Sequence, residues 1–387
     1  MTSTLQEILI VDDTPANLKL LSQILTVNGY NVRVAVNGAQ ALTSIDMAQP
    51  DLILLDIKMP GMNGFEVCQQ LKANPKTQDI PVIFISALDD LQDKLDGFNA
   101  GGLDYISKPF QIEEVLARVN AHLYIRRARQ ILESNNQRMQ RELNLAWHLQ
   151  RNFIPQKLPI FPGWEFSASI QPARETSGDF YDLLELPDGK IAFFIADVVD
   201  KGVSAALLMV LTWSLLRERI LSTPDQPRQV LADVNQRMLA ILTDLEFVTA
   251  FLGVLDRHTG QLTYANAGHN PPLIFRSKHE QILRLSRTGL ALGLFEETSW
   301  TQGEVMLNPG DVLLLYTDGV PEACNPSGEF MGLDRLIQCV DPLIQDSAEG
   351  IKTVIETKLN IFLSDQPPQD DLTLMVVKRS AGHDLLA

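Results

Sequence analysis

Residues Asp51–Gly64 read DLILLDIKMPGMNG, an apolar run that ends at the carboxylate of Asp56. The run Asp51–Leu55 predicts a buried strand. Four similar runs lie on either side of it: Glu7–Val11, Val32–Ala35, Val82–Ile85 and Tyr105–Ile106. Amphipathic stretches alternate with them, such as Asn17–Val27, whose leucines and isoleucine share one helical face. Alternating strands and helices of this length predict a doubly wound α/β fold with a five-stranded parallel sheet.

Polar residues fall where these strands end. Asp12 and Asp13 follow the first strand and Asp56 the third, and parallel sheets bind ligands beyond the carboxyl ends of their strands. Carboxylates and water suit Mg²⁺, and a carboxylate can itself accept a phosphoryl group. Ser86 and Lys108 follow in the fourth and fifth strands, where they could bind phosphoryl oxygens. Asp12–Asp13 alone could equally cap a helix N-terminus, but the whole set favours a phosphoryl site.

This region resembles the receiver domain of two-component response regulators. The resemblance rests on LIVDD (Leu9–Asp13), DLILLDIKMPGMNG, FISAL (Phe84–Leu88) and DYISKPF (Asp104–Phe110), and we place the domain at residues 1–122. It implies that Asp56 accepts phosphate from a histidine kinase. It further implies one Mg²⁺ held with Asp12, Asp13 and the Lys58 carbonyl. Ser86 and Lys108 would sense the phosphoryl group, and Tyr105 would be the aromatic residue that changes rotamer.

A long helix is predicted next, because neither Gly nor Pro occurs between Pro109 and Pro155. Apolar residues recur every seven positions at Leu132, Met139, Ala146 and Phe153. A second series lies four residues after each of the first three and consists of Asn136, Leu143 and Gln150. This is the seam of a weak parallel coiled coil with two polar positions, which predicts a homodimer through a linker at 123–156. The alternative is a helical linker packed on either neighbouring domain. We interpret the run Arg126, Arg127 and Arg129 as a solvated helix face.

Residues 157–387 predict an α+β domain of segregated layers, because strand and helix patterns come in clusters. The strand patterns are Glu165–Ile170, Ile191–Ala196, Ala250–Leu255, Leu262–Ala265, Val312–Tyr316 and Leu372–Val377. The helical patterns are Val203–Leu221, Val230–Leu242 and Ile351–Leu363.

Acidic residues again lie beside apolar strands in this region. They are Asp179 and Asp182, Asp197, Asp318, and the pair Asp370 and Asp371. Taken singly, each could belong to an ordinary turn, as in Asp318–Gly319. Taken together, a set of carboxylates without partner His or Cys favours Mg²⁺ or Mn²⁺ over zinc. Two such ions about 4 Å apart can activate water for in-line displacement at phosphorus.

The region resembles PPM-type metal-dependent serine/threonine phosphatases of the stage-II-sporulation-E-like branch, whose fold is a layered β-sandwich flanked by helices. The motifs are RETSGDFYD, ADVVDKGVSAALLM, YANAGHNPPL, LYTDGVPEA and DDLTLMVV. The resemblance implies two Mn²⁺ or Mg²⁺ ions bridged by Asp197. Asp179 and the Val198 carbonyl would serve one side, and Asp318 and Asp370 the other.

Further positions follow from the same resemblance. Asp182, Gly319 and Asp371 would be supporting residues, and Arg174 could receive the substrate phosphate. Two residues depart from the pattern: Ser177 replaces the first Gly of a Gly-Gly-Asp motif, and Asp200 replaces a Gly before Lys201. His269 is a candidate for a catalytic acid, but the glycine and prolines of its motif favour a role in shaping a loop.

The net charge, the cysteine count and the lack of long apolar runs exclude some classes of function. The formal charge of −16 argues against nucleic-acid binding, and three cysteines suit a reducing compartment. Neither a signal peptide nor an apolar run of spanning length is recognised, so we expect a soluble cytoplasmic protein without a membrane partner. The predicted function is a response regulator whose phosphatase acts on a phosphorylated anti-anti-sigma-factor-type (STAS) protein. The alternative is a receiver joined to a catalytically silent, partner-binding module.

Overall fold

The computed structural model describes residues 6–87, 96–242, 246–277, 282–364 and 366–381. Leu88, the last residue of the FISAL motif, therefore lies outside the described residues. The chain divides into two compact units, the first ending at Arg138 and the second beginning at Met139. The division falls inside the predicted linker. None of the helices in the described ranges is long and apolar enough to span a membrane.

The first unit contains a five-stranded parallel sheet in the order β2-β1-β3-β4-β5. Its strands are β1 (Glu7–Val11), β2 (Asn31–Ala35), β3 (Leu52–Asp56), β4 (Val82–Ala87) and β5 (Asp104–Lys108). Its first three helices are α1 (Pro15–Val27), α2 (Gly38–Met47) and α3 (Gly64–Ala73). Apolar clusters cover both faces of the sheet, and the predicted doubly wound fold is confirmed.

Helix α3 begins close to the end of β3, and two local features fix that start. Asn63 and Glu66 form a capping box, in which each side chain accepts a hydrogen bond from the other residue's backbone N–H. Gly64 permits the close approach, since a Cβ atom there would lie 2.3 Å from the carbonyl oxygen of Asp56. The backbone after β3 is therefore held tightly at the residue that carries the central carboxylate.

Helix α4 (Ile112–Gln150) is the long helix that the sequence predicts. Its N-terminal part buries Val115, Val119 and Leu123 against the parallel sheet. Residues 127–142 are exposed throughout. The interpretation of Arg126 as part of a solvated helix face is wrong. Arg126 is half-buried, and its guanidinium donates hydrogen bonds to the backbone carbonyls of Pro50 and Asp51.

The second unit contains two five-stranded antiparallel sheets, ordered β13-β10-β9-β8-β7 and β12-β11-β14-β15-β6. The strands are β6 (Trp164–Gln171), β7 (Phe180–Glu185), β8 (Lys190–Val198), β9 (Val248–Asp256), β10 (Gln261–Ala267), β11 (Leu273–Phe275), β12 (Ile282–Arg284), β13 (Gly303–Met306), β14 (Val312–Tyr316) and β15 (Leu372–Arg379). The helices are α5 (Val203–Ser222), α6 (Pro227–Leu239), α7 (Gly319–Glu322), α8 (Gly332–Val340) and α9 (Ala348–Leu363).

Alternation along β14 shows how the layers stack. Leu313 and Leu315 join an apolar cluster that also contains side chains of the first sheet and of α5 and α6. Val312, Leu314 and Tyr316 join a second cluster with α8 and α9. Successive side chains of a strand point to opposite faces, so this sheet is covered by the other sheet on one face and by helices on the other. The predicted β-sandwich flanked by helices is confirmed.

Candidate metal centres in the two units

Three carboxylates meet at the carboxyl edge of the parallel sheet. Asp12, Asp13 and Asp56 each offer an oxygen within 4.8 Å of the others, and they are the one such set of acidic, His or Cys side chains found among the described residues. Asp12 and Asp56 are buried, whereas Asp13 is exposed. Asp12 also accepts hydrogen bonds from the Thr14 N–H and from Asn17, which fix its orientation at the start of α1. The cluster supplies the hard oxygen donors that Mg²⁺ prefers.

Lys108 lies directly against this cluster. Its Nζ is 2.9 Å from an Asp12 oxygen and 3.0 Å from an Asp56 oxygen. Burial raises the pKa of Asp56, and the hydrogen bond from Lys108 opposes that rise. Burial alone would lower the pKa of Lys108, but the two carboxylates raise it overall. A permanent positive charge is thus placed beside the carboxylate predicted to accept phosphate.

The other predicted receiver residues lie around the same sheet edge. Ser86 is buried in β4 and pairs with Ser107 of β5. Tyr105 of β5 lines a small cavity together with Ser86, and the Arg118 guanidinium lies 5.3 Å from its ring centroid. Lys58 follows β3 by two residues and is exposed.

In the second unit, the buried Asp179 lies opposite the half-buried Asp197. The register of β7 and β8 pairs Phe180 with Ala196, so the two aspartates face one another where the ladder ends. Burial, followed by the charges of Asp197 and Asp371, raises the pKa of Asp179 well above its ordinary value. Burial, followed by the charge of Asp318, raises the pKa of Asp197 to about 7. Two such carboxylates favour a shared proton or a cation between them.

Two threonines that sequence reasoning missed orient Asp179. Thr317 and Thr373 each donate a hydroxyl hydrogen bond to the same Asp179 oxygen, at 2.7 and 2.6 Å. Thr373 lies in β15 and Thr317 directly follows β14, whereas Asp179 directly precedes β7 of the other antiparallel sheet. The side chain of Asp179 is therefore held by residues of the opposite sheet. Their signal was present in the sequence, because each threonine lies within three residues of a predicted ligand, Asp318 or Asp370.

Asp318 and Asp370 lie where β14 ends and β15 begins. Burial, followed by the charge of Asp370, raises the pKa of Asp318. Gly319 allows the strand ends to approach, since a Cβ there would lie 2.1 Å from the carbonyl oxygen of Asp371. Asp370 is more exposed and pairs with the Lys201 ammonium at 2.9 Å.

Asp371 supports the loop that carries Asp179. One of its oxygens accepts hydrogen bonds from the Ser177 hydroxyl and the Gly178 N–H, each at 2.8 Å, and the other accepts from the Ala173 N–H at 2.7 Å. Ser177, the departure from the usual glycine, therefore adds a bond that glycine could not make. The Val198 carbonyl faces the same loop, 3.1 Å from where a Cβ on Gly178 would lie.

Two predicted residues lie apart from these carboxylates. Asp182 is buried, and its carboxylate accepts a hydrogen bond from Arg217 of α5, whose guanidinium also stacks on Trp213. Asp182 therefore supports the contact between β7 and α5. Arg174 lies on the exposed part of the loop before Asp179.

The end of α4 contacts the same loop. Gln150 is buried and exchanges two hydrogen bonds with the backbone of Ser177. Phe153 packs edge-to-face on Trp213, with ring centroids 5.2 Å apart. Two members of the predicted coiled-coil seam thus lie against their own unit, and the seam prediction is wrong for them.

His269 is buried, with Nδ1 2.9 Å from the Thr249 hydroxyl. Burial lowers the pKa of His269 to about 3, so the imidazole is neutral near pH 7 and a role as proton donor is disfavoured. Thr249 pairs directly with Asp197 across β8 and β9, and directly opposed side chains share one face of a sheet. His269 therefore supports the strand beside Asp197.

The carboxylates of the second unit fit hard divalent cations. Their donors are all oxygens, and the charge of Asp197 raises the pKa of the buried Asp179, an effect that a dication would offset. On the neighbouring side, the charge of Asp370 raises the pKa of Asp318.

Comparisons with known proteins identify two domains along the chain. The model of the response regulator receiver domain matches residues 8–120, and that of stage II sporulation protein E (SpoIIE) matches residues 187–380, half of the chain. The chain belongs to the stage II sporulation protein E family. It joins a receiver domain to a PPM-type, metal-dependent serine/threonine phosphatase domain. Asp179 precedes the residues matched to the SpoIIE model, so its place in the site rests on the contacts described above.

Individual relatives share this arrangement in part. Protein IcfG of Synechocystis sp. is 33% identical over 75% of this chain and 51% of IcfG. Phosphoserine phosphatase RsbU of Bacillus subtilis is 30% identical over 65% of this chain and 73% of RsbU. The SiaA-PP2C domain of Pseudomonas aeruginosa aligns with a TM-score of 0.57 at 23% identity, covering 63% of this chain and 98% of that domain, which shows a shared fold. The chain spans about half the length of IcfG.

The raised pKa of Asp197 predicts that stability depends on pH. The unfolded carboxyl ionises near pH 3.9, whereas the folded one ionises near 7. The folded state therefore binds more protons between these values, and the free energy of unfolding falls as pH rises through them. In the presence of a chelator, we expect calorimetry to give a lower Tm for the second unit at pH 8 than at pH 5.5.

Asp197→Asn is the matched control, because it removes the titrating group with little change in shape. The variant should lose part of the difference in Tm between the two pH values, because Asp179, whose pKa is also raised, still titrates. A wild-type Tm that rises with pH under chelation, or an unchanged dependence in the variant, would contradict the assignment.

Proposed function

We propose that this chain is a response regulator whose second unit hydrolyses phosphoserine and phosphothreonine in a partner protein under control of the receiver. The observation that carries the proposal is the buried Asp179 opposite the half-buried Asp197, with Asp318 and Asp370 beside them from the other sheet. Four carboxylates that are gathered from two sheets and partly withdrawn from water are costly to charge without cations. Their retention argues against the alternative of a silent, partner-binding module.

The phosphatase residues divide into ligands and supports. Asp197 would lie between two Mn²⁺ or Mg²⁺ ions, with Asp179 and the Val198 carbonyl on one side and Asp318 and Asp370 on the other. When bound, such ions polarise the phosphoryl group and lower the pKa of water, so that hydroxide is available at neutral pH. Thr317 and Thr373 fix the direction of the Asp179 carboxylate, and Asp371 holds its loop. Arg174 remains the candidate for binding the substrate phosphate.

The receiver residues take complementary roles. Asp56 would accept the phosphoryl group from a histidine kinase, with one Mg²⁺ held by Asp12, Asp13, Asp56 and the Lys58 carbonyl. The positions of Ser86 in β4 and Lys108 in β5 support a role in binding phosphoryl oxygens. Tyr105 would respond through the cavity that it shares with Ser86.

The substrate class follows from the resemblance. RsbU is named a phosphoserine phosphatase, and the likeness to RsbU supports a phosphoprotein substrate. A phosphorylated STAS-type protein is the substrate that we propose.

A homodimer through α4 is proposed from its exposed part. Ile125, Leu132 and Met139 recur every seven residues and are 60%, 70% and 55% exposed. Apolar residues at this spacing form a stripe along one side of a helix, which a second copy of α4 could cover. The proposed stripe adds Ile125 at the N-terminal end of the predicted seam. It leaves out Gln150 and Phe153, which pack on the second unit.

Asp197→Ala tests the phosphatase. Loss of the bridging carboxylate should lower turnover of a phosphorylated STAS-type protein by about three orders of magnitude. Asp182→Asn should retain much more activity, because Asp182 bonds to Arg217 and lies apart from the proposed ligands. Phosphate release should stop on chelation and resume with Mn²⁺. Normal turnover by Asp197→Ala at saturating Mn²⁺ would refute the two-ion proposal.

Asp56→Asn tests control by the receiver. The amide is not a nucleophile, so the variant should take up no phosphoryl group from a small phosphodonor while basal phosphatase turnover is kept. Radiolabel incorporation and phosphate release, measured on one preparation, separate the two activities. Wild-type turnover that is unaffected by stoichiometric phosphorylation would show that the receiver does not control the enzyme.

Leu132→Asp with Met139→Asp tests the helix. Charges in the stripe should lower the mass seen by light scattering to that of a monomer and abolish the response of turnover to phosphorylation. Gln130→Asp with Gln137→Asp is the matched control, since both positions are exposed and lie on the opposite side of α4. A monomeric variant that still responds normally would exclude pairing of α4 as the route of control.

A further inference from the structure

Lys201 lies in the short segment that joins β8 to α5. Its Nζ is 2.9 Å from an Asp370 oxygen and 2.6 Å from the carbonyl oxygen of Gln369. The side chain is 28% exposed, so the ammonium lies at the edge of the acidic site. Sequence reasoning assigned no role to this lysine.

The charge of Lys201 reaches more than one carboxylate. Burial and the charge of Asp370 raise the pKa of Asp318, and Lys201 opposes that rise. Glu322 shows the same pattern: burial, Asp318 and Asp370 raise its pKa, and Lys201 lowers it. The ammonium thus neutralises part of the negative charge on the side of the site formed by Asp318 and Asp370.

The backbone holds Lys201 in place on both sides. Asp200 has φ +76° and Gly202 has φ +94°, so the chain bends sharply around the lysine. Asp200 occupies a conformation that few non-glycine residues adopt, and its side chain stabilises the bend by accepting a hydrogen bond from the Lys201 N–H at 2.8 Å. Asp200 replaces the glycine usual in the resembling family. This chain therefore has a local contact that helps to fix the direction of Lys201.

We propose that Lys201 is a tethered competitor for the metal ion assigned to Asp318 and Asp370. The inference rests on the proposed function and adds a regulator to the same site. An ammonium bonded to a ligand oxygen repels a dication at that oxygen, so the ion must displace Lys201 from Asp370. The Gln369 carbonyl can retain the displaced ammonium near the site. The charge of Lys201 consequently raises the metal concentration at which this position fills.

Equilibrium binding of Mn²⁺ to the full chain tests the proposal without an activity measurement. The chain carries Asp13→Asn and Asp56→Asn, so that the receiver contributes little Mn²⁺ binding. Free Mn²⁺ is measured by its electron paramagnetic resonance signal during titration. Lys201→Met should lower the dissociation constant of the weaker ion by about tenfold, because it keeps the length of the side chain and removes its charge. Lys201→Arg keeps the charge and should bind Mn²⁺ as the parent does.

Lys190→Met is the matched control. Lys190 is 31% exposed and is paired with Asp225 instead of a proposed ligand, so its loss should leave Mn²⁺ binding unchanged. Unchanged or weaker Mn²⁺ binding by Lys201→Met would overturn the proposal, since the lysine would then be inert or would position Asp370 for the metal.

Failure of the proposed function has a different signature. If Asp318→Asn with Asp370→Asn binds the same number of Mn²⁺ ions as the parent chain with the same affinities, these residues hold no metal. That result would overturn both the site and the competitor. A loss of one ion in this variant, combined with tighter binding in Lys201→Met, supports both.

Discussion

The second unit depends on burying like charges side by side. Asp179 is buried and Asp197 half-buried at the end of one sheet, and burial together with neighbouring carboxylates raises the pKa of both. Such a pair is unstable unless its oxygens are bonded and its charge is offset. Two threonine hydroxyls from the other sheet satisfy one Asp179 oxygen. The contact between the sheets and the geometry of the site are thus one interaction, because separating the sheets would also release the carboxylate.

Both units place a lysine against acidic residues, but in different surroundings. Lys108 bonds two carboxylates of the receiver at once and extends from the end of β5, the strand at the edge of the sheet. Lys201 bonds one carboxylate and one carbonyl, and it extends from a sharply bent connection. A lysine fixed by two acids is held by charge from both sides. A lysine fixed by one acid and a neutral oxygen can leave that acid while it keeps one partner.

Sequence reasoning identified most of what side-chain chemistry and periodicity encode. The central strands β1 and β3 were predicted because apolar runs that are buried on both faces are easily recognised, and the edge strands β2 and β5 followed from their spacing between helical patterns. Strand β7 was missed, because FYDLLE contains an acid and follows a motif that drew attention to its aspartates. The short strands β11, β12 and β13 were missed because three or four residues carry too little periodicity.

The limits at the site have a similar origin. The acids of both units were found from their positions at strand ends, whereas Thr317, Thr373 and Lys201 act through contacts between segments far apart in the chain. Gln150 was misplaced for the same reason. Its spacing fits a helical seam, but a tertiary contact with Ser177 decides where it lies. The spacing of residues in the sequence predicts which of them lie on the same face of a helix. It does not predict which part of the protein packs against that face.

Gly64 and Gly319 show how an absent side chain can constrain evolution. Each lies so close to a backbone oxygen, that of Asp56 or Asp371, that a methyl group would overlap it. Neither glycine offers a group that could bind or react, yet each lets a helix start where an acidic cluster needs it. A side chain at either position is therefore opposed by lack of volume. A sequence that keeps both acidic clusters in this geometry must therefore also keep a glycine at positions 64 and 319.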